Sequence, residues 1–290
     1  MKTALCLGDT VGLIACSDGR EKESTIVKET ADALAMLGLK VKLAQTIFRK
    51  GDSPFSGEAT ERANELMTMF QDEKIKMIFD ISGGDSANQI LPYLDEQVIR
   101  KTPKPFVGLS DLSVLLNAIY ARTQVPTFHY QIANLVKEDA SSQQNLFRKW
   151  FMEKDMDRAN DITFRYTWIR GQGMEGVVIG GNIRCFLKLA GTPYMPDLTN
   201  KILFLESLGG GISRTASLLA QLQQTGYLEQ CQGLLLGTFT EIRSQNQNHL
   251  LEELILEMTK EYPFPIATTE QLGHGADAHC LPIGRFLTFP

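Results

Sequence analysis

The sequence predicts an α/β protein of two domains, the first a parallel sheet with helices on both faces. Three observations lead there. Short apolar runs alternate with longer amphipathic ones in β-α-β-α order. Several short runs are continuously apolar, as strands covered on both faces require. The pattern then breaks across 134–161 and resumes. A length of 290 residues suits two domains of ~150 residues each.

The elements follow in order. Residues 11–16 predict a strand fed by the turn Gly8-Asp9-Thr10. Asp9 interrupts what would otherwise resemble an export signal running from Lys2 to Cys16. Residues 21–37 predict a helix with Val27, Ala31, Leu34 and Ala35 on one face. A short strand at 41–44 and a helix at 58–70, with Ala63, Leu66, Met67 and Phe70 inward, come next. Strands at 77–81 and 105–109 precede a helix at 112–122. A polar, charge-dense linker over 141–164 carries a short helix with Phe147, Trp150 and Phe151. Beyond it, strands are expected near 163–169, 177–179, 202–205 and 234–237, and helices near 183–189, 215–225 and 249–262. The expected domains are therefore 1–140 and 165–290.

Composition excludes several function classes. Lys plus Arg number 29 against 34 Asp plus Glu, a net charge of −5 with no basic stripe. Nucleic acids and anionic membranes have no electrostatic footprint to meet. No apolar run approaches the ~18–20 residues that span a bilayer. The five cysteines, Cys6, Cys16, Cys185, Cys231 and Cys280, are scattered and lack a C-x-x-C pair. They argue against a disulfide framework or zinc site and fit a reducing cytoplasm. Among four histidines, His274 and His279 miss the i,i+4 spacing of a zinc pair, while His129 and His249 read as structural or surface residues. Neither metal nor cofactor is expected.

Four places could carry chemistry. In Phe106-Val107-Gly108-Leu109-Ser110-Asp111 a strand ends in Gly-x-Ser and enters a helix, exposing a hydroxyl beside backbone N–H groups. The alternative is that Ser110 or Asp111 merely caps the helix. Ser82-Gly83-Gly84-Asp85 could aim N–H groups at an anion or could be a tight turn. Gly180-Gly181-Asn182 reads as a similar turn with a packing role. Glu206 closes an apolar strand, where it could orient a histidine or simply meet solvent. His274 sits between Gly273 and Gly275 on a loop. In chain order, Ser110, Glu206 and His274 with the upstream glycine pair offer nucleophile, orienter, base and oxyanion donors.

Ordered blocks along nearly the whole chain resemble the L,D-carboxypeptidase family of serine peptidases, which includes the microcin C self-immunity peptidases. They are Gly8-Asp9-Thr10-Val11-Gly12, Gly83-Gly84 through Asn88 to Asp95, Gly108-Leu109-Ser110-Asp111 and Gly180-Gly181-Asn182. Then come Gly191-Thr192-Pro193-Tyr194, Leu203-Phe204-Leu205-Glu206, Gly273-His274 and Leu281-Pro282-Ile283-Gly284. The resemblance implies a metal-free triad of Ser110, Glu206 and His274, with the serine in the first domain, the other two in the second, and the site in the cleft between them. It implies a small peptide or muropeptide substrate, typically release of terminal D-alanine from the murein tetrapeptide during cytoplasmic recycling, and a homodimer. On that chemistry the oxyanion would meet the N–H of Asp111 and one at Gly84 or Asp85. Gly83, Arg184 and Arg214 are candidates for substrate contact, the arginines for its carboxylate; each arginine could equally form a surface ion pair.

Two departures bear on substrate choice. Asp85-Ser86 stands where the carboxypeptidases tend to carry Tyr-Gly, and Phe128-His129-Tyr130-Gln131 where many carry His-Gly-Pro. The rival within the family is an immunity-type amidase cleaving peptidyl-adenylate analogues, for which Trp150 or Trp168 could supply an aromatic platform or else be core. Outside enzymes, the alternative is an α/β protein that binds an anion on its glycine turns.

Overall fold

In the computed structural model, which describes residues 4–153 and 162–290, the chain builds two six-stranded mixed sheets. Lys2 and the charge-dense part of the linker lie outside the described residues. The first half supplies β1 (Thr10–Ile14), β2 (Lys40–Leu43), β3 (Ile75–Asp80), β4 (Phe106–Gly108) and β5 (Thr127–His129). The second supplies β6 (Thr167–Arg170), β7 (Met174–Asn182), β8 (Lys201–Ser207), β9 (Gly233–Phe239), β10 (Ile266–Thr268), β11 (Leu281–Ile283) and β12 (Phe286–Phe289).

The first sheet runs β11-β5-β4-β3-β1-β2 and is parallel except for β11 at its edge. The second runs β12-β7-β8-β9-β10-β6, parallel in its centre with β12 and β6 antiparallel at its edges. Its central strands β8 and β9 are almost wholly buried, matching their apolar runs. The sequence did not indicate β11. Leu281 pairs with His129 of the first sheet, and five residues later the chain returns to pair Phe286 with Val177 of the second.

The helix Ser113–Thr123, which follows β4, is buried on nearly every side because β7 crosses it. Asn117 Nδ2 donates to Gly180 O (2.7 Å), Gly180 N donates to Asn117 Oδ1 (2.8 Å) and Asn182 N donates to Ser113 Oγ (2.9 Å). Gly180-Gly181-Asn182 is therefore not a turn, as its composition suggested, but the end of β7. A Cβ on Gly181 would fall 2.4 Å from Ser113 Oγ, at a backbone φ of +143°, so the close approach of the two units requires glycine there.

The linker helix Ala140–Phe147 and the turn Arg148–Glu153 pack on the first sheet rather than between the units. Phe79, Phe147 and Phe151 meet at centroid distances of 5.0–5.7 Å. Among the described residues no helix is long and apolar enough to cross a membrane.

A buried guanidinium organises the carboxyl edge of the first sheet. The predicted strand 11–16 ends at Ile14 because the next carbonyls turn away: Ala15 O accepts from Ser56 Oγ (2.9 Å) and Cys16 O from Arg62 Nη1 (2.7 Å). Arg62, with no accessible surface, also donates to Gly57 O (3.1 Å) and Gln89 Oε1 (2.7 Å). Replacing it strands several acceptors in the interior. Arg62→Leu is expected to lower unfolding free energy by ~3–5 kcal/mol in urea titrations, whereas Arg49→Ala, removing a surface pair with Glu21, changes it by less than ~1 kcal/mol.

Candidate active site

Ser110 stands two residues beyond β4 with φ +62°, a left-handed conformation that costs a non-glycine residue energy. The strain lifts the hydroxyl off the strand axis as the chain enters the turn Ser110–Leu112 and the helix Ser113–Thr123. The next residue, Asp111, has no accessible surface. It does not cap the helix. Its Oδ2 accepts from Ser17 Oγ (2.6 Å) and Ala87 N (2.8 Å), and its Oδ1 from Lys188 Nζ (2.6 Å).

Glu206 ends the apolar core of β8 and is also fully buried, so the solvent-exposed alternative fails. His274 Nδ1 donates to Glu206 Oε2 at 2.6 Å. That bond assigns the Nδ1–H tautomer and leaves Nε2, buried and without a partner among the described residues, as the free base. Gly273 and Gly237 line the carboxylate where larger residues would collide with it. The loop is tied back to the first unit through Asn134 Nδ2, which donates to Gly275 O (3.2 Å).

The two halves meet through strand ends. Asn182, opposite Glu206 in register, donates from its backbone to Ser113, three residues after Ser110. His129 sits opposite Gly108, two residues before Ser110. Its Nε2 lies 3.9 Å from Glu206 Oε1. Burial pushes this imidazole down to about 4, against the opposing pull of Glu206. The sequence offered His129 only as structural or surface; the partner that singles it out is 77 residues away.

The glycine pair follows β3. Gly84 adopts φ +129° with the Asp18 carboxylate packed where a Cβ would be. Asp85 pairs with Arg184 and accepts from Lys188 Nζ at 3.0 Å. Burial opposes the charges of Lys188 and Asp85, but their mutual attraction and that of Asp111 and Arg184 outweigh it, raising the lysine and lowering the aspartate. Arg184 is thus engaged by a carboxylate of the chain itself. Arg214 is exposed on the helix Gly211–Gln224, its stem against Gly210. Gly83 has open space around its Cα.

Two cations passed over in the sequence flank the same edge. Arg20, after β1, donates to Ile81 O at the entrance of the glycine turn. Lys137 ends the segment after β5 that holds Gly275, and its side chain has no hydrogen bond or ion pair among the described residues. Burial and the nearby Arg20 charge lower its pKa. Since β3 and β4 separate β1 from β5, two cations that sense each other must reach across the ends of those strands.

Among the described residues no His, Cys, Asp and Glu group could hold a metal ion. Trp150 is buried, edge-on to Tyr130 and His279, while Trp168 is half-buried on edge strand β6 beside Tyr166. A cavity of about 500 Å³ is bounded by Arg165, Arg243, Glu270 and Asp277 and reaches Gly237 and Thr238 of β9.

Residues 11–130 match the LD-carboxypeptidase N-terminal domain and residues 175–289 the LD-carboxypeptidase C-terminal domain. A Treponema pallidum protein named as a carboxypeptidase is 30% identical, the match covering 99% of this chain and 91% of that one. The murein tetrapeptide carboxypeptidase of Pseudomonas aeruginosa is 27% identical, covering 79% of this chain and 77% of its own. The crystal structure of an MccF-like protein from Bacillus anthracis superposes with a TM-score of 0.86 at 25% identity, over 99% and 94% of the two chains.

The His129 shift has a consequence for stability. A folded pKa near 4, against 6.5 for a free imidazole, means the unfolded chain binds the extra proton between those values. Stability is retained above pH 6.5 and falls as pH drops toward 4, by up to ~3 kcal/mol from this group. Urea midpoints at pH 7, 5.5 and 4.5 are expected to decline more steeply for the wild type than for His129→Gln.

The chain belongs to the LD-carboxypeptidase family.

Proposed function

We propose that this family member is a serine-type L,D-carboxypeptidase that releases terminal D-alanine from the murein tetrapeptide, with Ser110 as nucleophile, His274 as base and Glu206 as its orienter. The observation that carries the reading is the 2.6 Å bond from His274 Nδ1 to a fully buried Glu206, which leaves Nε2 as the basic nitrogen. Ser110 stands on a strained strand-to-helix turn two residues after Gly108, whose register partner His129 faces Glu206 at 3.9 Å.

In the first step Nε2 takes the Ser110 proton as Oγ bonds to the carbonyl carbon on the L side of the scissile bond. Glu206 holds the imidazolium. The N–H of Asp111 and one at Gly84 or Asp85 receive the oxyanion. Collapse breaks the C–N bond, and the D-alanine amine leaves with the proton from Nε2. Water then attacks the acyl-enzyme, its proton passing to Nε2 and from there to Oγ. The Asp85–Lys188–Asp111 cluster supports this assignment, since it fixes both peptide segments from which the N–H groups come.

With Arg184 committed to Asp85, Lys137, whose side chain has no partner among the described residues, is the candidate for the substrate carboxylate, with Arg20, which donates to Ile81 O, close enough to lower its pKa. The composition and the reaction both fit a cytoplasmic enzyme of cell-wall recycling, and the family suggests a homodimer. The second reading, cleavage of peptidyl-adenylate analogues, is favoured by Asp85-Ser86 after the glycine pair and by the MccF-like fold. Trp150 gives it no support, being packed inside the first unit.

Mass spectrometry of a murein tetrapeptide incubated with the protein is expected to show loss of D-alanine. Ser110→Ala should lower turnover by ~10⁴–10⁶ and Glu206→Gln by ~10⁴. Turnover undiminished in Ser110→Ala would assign the wrong nucleophile; inactivity of both proteins on murein, with cleavage of a peptidyl sulfamoyl adenylate, would favour the second reading. For the carboxylate, Lys137→Met is expected to raise KM about tenfold or more for the free acid and to leave the C-terminal carboxamide analogue unchanged.

A further inference from the structure

Glu206 is flanked by two imidazoles, and the reaction above uses only one. Its Oε2 takes the His274 bond. Its Oε1 has no hydrogen-bond partner among the described residues, and neither has His129 Nε2, which faces it at 3.9 Å. Both side chains lack accessible surface, so bulk solvent does not reach them. The gap is about 1 Å beyond an N–H···O hydrogen bond, and a buried carboxylate oxygen left without a donor is costly.

The ring is held along this line by its surroundings. Phe204 and Glu206 are two residues apart on β8 and share a face of the strand. His129 packs edge-on against Phe204, with centroids 5.1 Å apart and planes at 80°. Gly181 closes the other side, where a Cβ would lie 3.3 Å from Cδ2. Backbone pairing of His129 with Gly108 on one side and Leu281 on the other fixes its Cα. Of the described titratable groups, those acting on it are Glu206 from β8 and His274 from the loop.

We propose that His129 is a positioning residue for the Glu206–His274 pair: a permanently uncharged imidazole whose Nε2–H points at Glu206 Oε1, keeping the carboxylate ionised and its other oxygen turned to His274. The inference rests on the triad reading for its consequence in turnover, but not for the tautomer and contact it asserts. Burial of His129, which disfavours its protonation, is consistent with the uncharged form.

Two variants separate positioning from packing. His129→Phe preserves an aromatic ring but removes the donor; His129→Gln can return an amide N–H near the same place. With both folded by circular dichroism and thermal melting, His129→Phe is expected to lower kcat on the tetrapeptide about tenfold to a hundredfold, the scale of one charge-assisted hydrogen bond. KM should stay unchanged, and the acid limb of the kcat/KM profile should move up by about one pH unit. His129→Gln should recover most of the kcat and the wild-type limb. Unchanged kcat and profile in His129→Phe, or an equal defect in both variants, overturns the proposal. A substrate-free readout distinguishes its failure from that of the triad reading. In ¹⁵N-histidine NMR of the full chain at pH 7, His129 should show a protonated, slowly exchanging Nε2 whose resonance moves in Glu206→Gln; an unprotonated Nε2 overturns the proposal whatever the substrate proves to be.

Discussion

A carboxylate with no accessible surface must find its donors inside the protein, and Glu206 imposes that condition on everything around it. It lies at the carboxyl end of a central strand of the second sheet, where the backbone cannot be shifted without disturbing β7 and β9. One donor comes from a loop 68 residues further on, and glycines at 237 and 273 leave the room that loop needs. The opposite oxygen looks across the junction into the first sheet. The position of one charge thus requires the two sheets to be locked together, as they are with β11 and β12, through Asn117 and Ser113 on β7, and at Asn134.

A second charged cluster holds the other side of the junction. Asp85 and Asp111 come from turns of the first sheet, Arg184 and Lys188 from the short helical segment after β7. An exposed ion pair would contribute little, but Asp111 is fully buried and accepts from a hydroxyl and a backbone N–H besides the ammonium. Its neighbour in sequence is Ser110. The carboxylate therefore anchors the Ser110 turn from beneath, and the salt bridge extends that anchor into the second unit.

What the sequence revealed followed the strength of its periodic signals. Strands β8 and β9 have continuous buried apolar runs, and β3 has one over Met77–Phe79, so all three were legible within a few residues. Strands β5, β10, β11 and β12 have three or four residues, too few for any period to emerge, and exist because neighbouring strands present unpaired edges. Ser110, Glu206 and His274 each carried only a weak local signal (a Gly-x-Ser at a strand end, a carboxylate after an apolar run, a histidine between glycines), joined by their order and the family resemblance; the structure brings Glu206 and His274 into contact. The misread feature, Gly180-Gly181-Asn182, has turn composition for a different reason, the close crossing of a helix. Lys188 and His129 carry no local mark at all. Their partners are 77 positions away in each case, at Asp111 and Glu206, and only the folded chain brings them together.

The electrostatics of the two histidines then differ in the way a single shared carboxylate demands. His274 sits on a loop with a little exposure, its Nδ1 on Glu206 and its Nε2 without a partner among the described residues. His129 is sealed between β5, Phe204 and Gly181, and burial keeps it neutral across the physiological range. Were both to ionise readily, each would compete for Glu206, and a proton resident on His129 would draw the negative charge away from His274 and weaken it as a base. A neutral imidazole offers the carboxylate a dipole without that competition. The same burial that keeps His129 neutral leaves the charge of Glu206 to the histidine bonded to it, which is the arrangement the proposed triad needs.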